Sequence, residues 1–174
     1  MKGTVLYEVQ GDVAVLTVDN PPVNPLSDGV RNGLYESLQK AEDDETIKGV
    51  VLTGNGRAFI AGADISEFGG NVEGKSLNEV FQKLEFCKKP VVAAINGIAL
   101  GGGLETALCC NYRIIDKNAV VGLPEVNLGL LPGGGGTQRL PRLTGPSEAL
   151  KMMLTGSHVP ASKALSLGIV DSIS

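Results

Sequence analysis

The chain has 174 residues, 43% of them apolar and 20% charged, with a net charge of −4. That is enough to bury a core, so a disordered tail is excluded. With 15 basic against 19 acidic residues, 4% aromatics and no Trp, neither a basic nucleic-acid surface nor a base-stacking platform is expected.

No apolar run approaches the roughly 18–20 residues of a bilayer span, and Met1–Val5 lacks the apolar stretch of a secretory signal. Cys87, Cys109 and Cys110 cannot build a multi-bridge framework, so a reducing compartment is expected. Glycine is the outlier, at 24 residues against a usual share of roughly 7%.

Residues 3–19 carry two apolar runs around Gly11-Asp12 and read as a β-hairpin. Asn20-Pro21-Pro22-Val23-Asn24-Pro25 is a loop, since three prolines deny it helix and central strand. Ser27 is a candidate N-cap for a helix with Val30, Leu34, Leu38 and Ala41 on one face, closed toward water by the acids at 42–45.

Residues 48–53 predict a buried strand, and Leu77, Val80, Phe81 and Leu84 an amphipathic helix. Val91–Ile95 is a second strand, turned by Asn96-Gly97. Gly101–Gly103 precedes a small-residue core helix over 104–110, and Tyr112–Ile115 is a strand. Gly133–Gly136 is a further glycine cluster, followed by helices near 146–155 and 161–167. Strands alternating with helices predict an α/β fold with βαβ crossovers.

Gly69, Gly74, Lys75 and Ser76 match the phosphate-cradling pattern G-x-x-x-x-G-K-[ST]. The match is read as chance. Ser66-Glu67-Phe68 is no buried strand leading into it, and Glu73 would face the phosphates. Gly101 and Gly103 lack the third glycine of a dinucleotide site, because Thr106 stands there. His158 is the only histidine, and no metal site is expected from it or from the cysteine spacings.

Three segments remain: 59–65, 96–105 and 122–140. The glycine triplet offers helix-terminal amides to a ligand oxygen. Glu105, one turn inside, is either a working carboxylate or a first-turn partner of the helix dipole. Glu125 taken alone reads as a solvated loop acid, and Asp64 as a turn-stabilising residue. Spacing suggests an anion-stabilising site and names no reaction.

Taken together, the Asn20–Asn24 loop, the Gly122-Leu-Pro-Glu-Val126 run and the Pro132–Leu140 run resemble the crotonase (enoyl-CoA hydratase/isomerase) superfamily. The likeness is strongest to the N-terminal hydratase part of the multifunctional fatty acid β-oxidation enzymes, and extends over residues 1–174. It implies a crotonase-like ββα spiral.

The resemblance also implies an enoyl-CoA hydratase that adds water across a trans-2-enoyl thioester, with Δ3–Δ2 isomerase as a second activity. The amides of Ala63 and Gly102 would bind the thioester oxygen. Ala61, Asp64, Ile65 and Ser66 would line the CoA end. Glu105 would act as base and Glu125 as acid.

CoA arrives with the acyl-CoA substrate, so no resident cofactor or metal is implied; NAD belongs only to a dehydrogenase part that is absent here. A homo-oligomer or an intramolecular partner domain is implied, in the bacterial cytoplasm or the peroxisome. The rival readings are a non-catalytic CoA-binding or assembly module and the rejected P-loop enzyme.

Two departures stand out. Pro25 replaces the usual Ala, and the chain stops at Ser174. Family domains continue into further helices that roof the acyl pocket. The expectation is a truncated piece with weak or no turnover.

Overall fold

The computed structural model describes residues 3–64, 67 and 74–174. Strands β1 (Thr4–Gln10) and β2 (Val13–Asp19) form the expected antiparallel hairpin, turned at Gly11, whose φ is 65°. Along β2, Ala14, Leu16 and Val18 are fully buried, while the residues between them are not. Period-two alternation aims these three at one face.

Helix α1 (Asp28–Asp43) lays Val30, Leu34, Leu38 and Ala41 into the same core. Each fully buried leucine of this stripe contributes about 1.5–3 kcal/mol relative to exposure. Ser27 is the N-cap, but its hydroxyl makes no capping bond and accepts instead from Asn20 Nδ2 at 3.1 Å. The first free amide, that of Asp28, is taken by Glu67 Oε1 at 2.9 Å.

The remaining chain repeats one unit three times. Strand β3 (Gly49–Gly54) turns into β4 (Ala58–Ile60), and α2 (Leu77–Glu85) follows. Strand β5 (Val91–Ile95) turns at Asn96-Gly97 into β6 (Ile98–Leu100), and α3 (Gly102–Leu108) follows. Strand β7 (Tyr112–Ile115) leads to β8 (Val120–Gly122), then to a 3-10 turn over Glu125–Leu128 and α4 (Gly136–Thr144).

The first strand of each unit joins a six-stranded sheet, and the second joins a four-stranded one. α5 (Pro146–Thr155), β9 (Val159–Pro160), α6 (Ala161–Ser166) and β10 (Ser172–Ile173) complete the chain. The large sheet runs β1-β2-β3-β5-β7-β10 and the small one β4-β6-β8-β9. Pairing is parallel except for β1–β2 and β8–β9. This is the ββα spiral implied by the resemblance.

Register aligns the core in rows. Ala14 lies beside Val50 and Val50 beside Val91, while Leu16 lies beside Leu52 and Leu52 beside Ala93. In the shorter sheet, β4 and β6 are three residues each and escape a periodicity reading. Helix α4 escapes it too, because only Gly136 and Leu140 are buried and Pro141 lies within it.

Two expectations are corrected. The helix of the glycine triplet begins at Gly102, inside the triplet, and ends at Leu108. Glu42 does not face water: its side chain is 5% exposed and meets Lys83 Nζ at 2.5 Å.

Part of the P-loop match lies outside the described residues. Within it, Ser76 caps α2 in a reciprocal capping box with Glu79, and Lys75 pairs with Glu79 at 3.1 Å. Both residues therefore serve a helix start.

Candidate active site

The C-terminal ends of β4, β6 and β8 converge on one cavity of about 450 Å³. It is lined by Ala61, Gly62 and Ala63 after β4, and by Leu100, Gly101, Gly102 and Glu105 at the junction of β6 and α3. Pro124, Glu125 and Asn127 close a third side. Leu77, Leu128, Leu130 and Leu131 give the cavity an apolar end, with Gly133 and Gly134 beside them.

The proline loop positions the first strip. Asn24 is 1% exposed, adopts φ 57°, and donates through Nδ2 to the carbonyls of Ala58 (2.8 Å) and Asn55 (2.9 Å). The Ala61 N–H then donates to Val23 O at 3.0 Å, and Leu26 N–H to Gly62 O at 2.9 Å. These bonds occupy polar groups of the two residues before Ala63. The Ala63 N–H itself has no acceptor among the described residues.

Gly102 is the first residue of α3, so its amide has no carbonyl a turn earlier within the helix to bond. The two strips nearly touch: a β-carbon on Gly102 would lie 3.5 Å from Ala63 N. Gly101 caps the helix with φ 53°, a conformation open to glycine and poor for other residues.

Glu105 is 3% exposed. Its Oε1 accepts two backbone hydrogen bonds, from Gly134 N–H and Gly136 N–H, each 2.8 Å. Burial pushes its carboxyl upward; the two amides and the Arg139 guanidinium pull it back. A β-carbon on Gly134 would sit 2.1 Å from Phe81 Cε2 and 2.5 Å from Glu105 Oε2, so only glycine fits there. The sequence reading noted this cluster without giving it a role. Its PGGGG run, opposite a buried acid, was the available signal.

Glu125 is half-buried in the 3-10 turn, which corrects the solvated-loop reading. Its Oε2 is buried without a hydrogen-bond partner among the described residues. Burial raises its carboxyl, and the charge of Glu105 raises it further. Glu105 and Glu125 therefore face one cavity and feel each other electrostatically.

Of the expected CoA-end residues, Ala61 lines this cavity, Asp64 follows the strip without lining it, and Ile65 and Ser66 lie outside the described residues. His158 is exposed and does not line the cavity. Among the described residues no group of three His, Cys, Asp or Glu is placed to hold a metal ion.

Residues 8–174 match the family model described as enoyl-CoA hydratase/isomerase. The chain belongs to that family. It is 50% identical over 168 residues to the peroxisomal bifunctional enzyme of Danio rerio, covering 96% of this chain and 23% of that protein. It is 45% identical over 165 residues to a probable enoyl-CoA hydratase of Bacillus subtilis, covering 91% of this chain and 64% of the relative.

The crystal structure of an enoyl-CoA hydratase from Bacillus anthracis superposes with a TM-score of 0.92 at 35% identity, covering 98% of this chain and 70% of that one. The chain thus spans about a quarter of the length of the bifunctional relative and about two thirds of the hydratases.

Proposed function

We propose that this chain is the hydratase unit of fatty acid β-oxidation, converting trans-2-enoyl-CoA and water into 3-hydroxyacyl-CoA. The observation that carries the reading is two carboxylates on one cavity, one held by two backbone amides and the other with an oxygen unbonded among the described residues, beside the Ala63 and Gly102 amides, which have no acceptor among those residues either. The similarity to a bifunctional enzyme and to hydratases supports it.

The thioester oxygen accepts from the Ala63 and Gly102 N–H groups. Glu105, whose anion two amides stabilise, takes a proton from water as the water oxygen bonds to C3. The alkene electrons move toward the carbonyl, and negative charge grows on the thioester oxygen. Loss of one such donor raises a barrier by about 3–4 kcal/mol.

Glu125, unbonded at Oε2 and pushed upward by burial, delivers its proton to C2. The two acids exchange one proton afterward, so charge balances over a turnover. Because they interact, the pair titrates jointly. Glu125 alone suffices for moving a proton between C2 and C4, which makes Δ3–Δ2 isomerisation the second activity of the same site.

Ala61 and Asp64, with Ile65 and Ser66 outside the described residues, are the residues proposed for the CoA end, and no resident cofactor takes part. Leu128 and Leu131 are 57% and 79% exposed at the apolar end. Burying them fits a second copy or a partner domain in the assembled enzyme. The compartment follows the organism: the peroxisome in a eukaryote, the cytoplasm in a bacterium.

The test is crotonyl-CoA with loss of the enoyl-thioester absorbance. Hydration by the wild type and its loss in Glu125→Gln support the reading. CoA binding without turnover, in this chain and equally when the C-terminal helices of a hydratase relative are joined to it, sinks it and leaves a binding module.

A further inference from the structure

Arg139 lies outside the cavity lining, on α4. Its Nη1 donates to the Gly134 carbonyl at 2.8 Å, and its Nη2 to Glu85 Oε2 at 2.6 Å, with Nε 3.4 Å from Glu85 Oε1. Gly134 is thus held through both polar groups: its N–H by Glu105, its carbonyl by Arg139.

Glu85 ends α2, the helix whose Phe81 packs against the same glycine. A β-carbon on Gly135 would lie 2.1 Å from Arg139 Nη1, so the turn leaves room for the guanidinium to cross it. One side chain fastens the glycine turn, α4 and α2 together.

Exposure decides what this fastening serves. The Arg139 and Glu85 side chains are 20% and 42% exposed, and an ion pair that wet contributes little to folding. Placement of a reacting carboxylate, by contrast, is sensitive to shifts of about 1 Å. Beyond the hydratase reading, and resting on it for the role of Glu105, we propose that Arg139, anchored by Glu85, is a positioning residue for the base: it sets the turn whose Gly134 and Gly136 amides aim the Glu105 carboxylate.

The titratable and charged groups around Glu105 are Glu125 from the 3-10 turn, Cys109 at the C-cap of its own helix, Arg139 from α4 and, behind Arg139, Glu85 from α2. A brace and a bare electric field make opposite predictions for two variants. Arg139→Lys keeps the charge, but one ammonium cannot reproduce the guanidinium fork. Glu85→Gln removes a negative charge, which by field alone lowers the Glu105 pKa; loosening the brace removes amide donors and raises it.

The experiment measures kcat, KM and the acid limb of the pH profile for Arg139→Gln, Arg139→Lys, Glu85→Gln and the exposed control Arg142→Gln. In parallel, the Glu105 carboxyl is titrated by carbon-13 NMR. Arg139→Gln is expected to lower kcat by about tenfold to a hundredfold, with KM nearly unchanged and the acid limb moved to higher pH. Arg139→Lys recovers only part of this, Glu85→Gln shifts the same limb upward by less, and Arg142→Gln changes nothing.

Full recovery in Arg139→Lys, a downward shift in Glu85→Gln, or an unchanged Arg139→Gln overturns the proposal. If Arg139→Gln fails to fold, Glu85→Gln still decides by its sign. If the wild type hydrates no enoyl-CoA, the NMR titration judges the brace by itself, and the hydratase reading is judged apart from it by the crotonyl-CoA test.

Discussion

The two acids of the cavity stand in walls of different construction. Glu105 is buried on α3, receives two amide hydrogen bonds, and faces a glycine turn tied to α2 and α4. Glu125 sits in a short 3-10 turn that runs into exposed Leu128, Leu130 and Leu131, and one of its oxygens has no partner among the described residues. Burial pushes both carboxyls upward; in the first wall two amides and a guanidinium pull back toward the anion, whereas in the second the charge of Glu105 adds to the push. The two environments differ in kind while the side-chain type is the same, which is the asymmetry that the proposed base and acid would use.

The largest expected effect breaks the stiff wall at its reacting atom. Glu105→Gln keeps the shape and removes the proposed base, so hydration is expected to fall by about 10²–10⁴-fold. Crotonyl-CoA turnover checks this, with circular dichroism to show that the fold persists.

Gly134→Ala attacks the same wall from behind. Its methyl group meets Phe81 and Glu105, so stability drops by about 1–3 kcal/mol from overpacking and kcat falls with it. Denaturant unfolding against steady-state kinetics separates the two losses.

On the looser wall, Leu131→Ala is expected to change stability by less than about 0.5 kcal/mol, as an exposed site does. It raises KM for long acyl chains more than for crotonyl-CoA. An equal KM rise for both chain lengths would show that Leu131 does not bound the acyl end.

The smallest effect concerns pH. Burial raises the Glu125 carboxyl in the folded chain. Folding therefore carries no penalty from it below the unfolded value of roughly 4.3, and acquires one as pH rises through the folded pKa. Glu125→Gln removes that penalty. Its melting temperature should match the wild type near pH 4 and exceed it at neutral pH; an equal difference at both values contradicts the burial of this acid.

Much of this was legible in the residues. The hairpin over 3–19, the apolar stripe Val30-Leu34-Leu38-Ala41 and the strands around Val50 and Val91 follow from period and burial, and the structure holds them there. The glycine triplet before Glu105 marked an unusual helix start. The three-residue strands β4 and β6 were not legible, since so short a run carries no period. Nor was the character of Glu125: one acid in a Pro-Glu-Val-Asn turn looks alike whether wet or half-buried, and only the distant chain brought against the turn, helix α5 and Gly101, makes the difference.

Residue order alone determined the α/β alternation, the absence of metal and dinucleotide motifs, and which acids and glycines were candidates, because these depend on neighbours within a few positions. The tertiary structure decided that Ala63 and Gly102, 39 positions apart, lie side by side, and that residues 134 and 136 supply the hydrogen bonds of residue 105. Those relations arise where three ββα units are wound so that their short strands end together, and no local propensity encodes such a meeting.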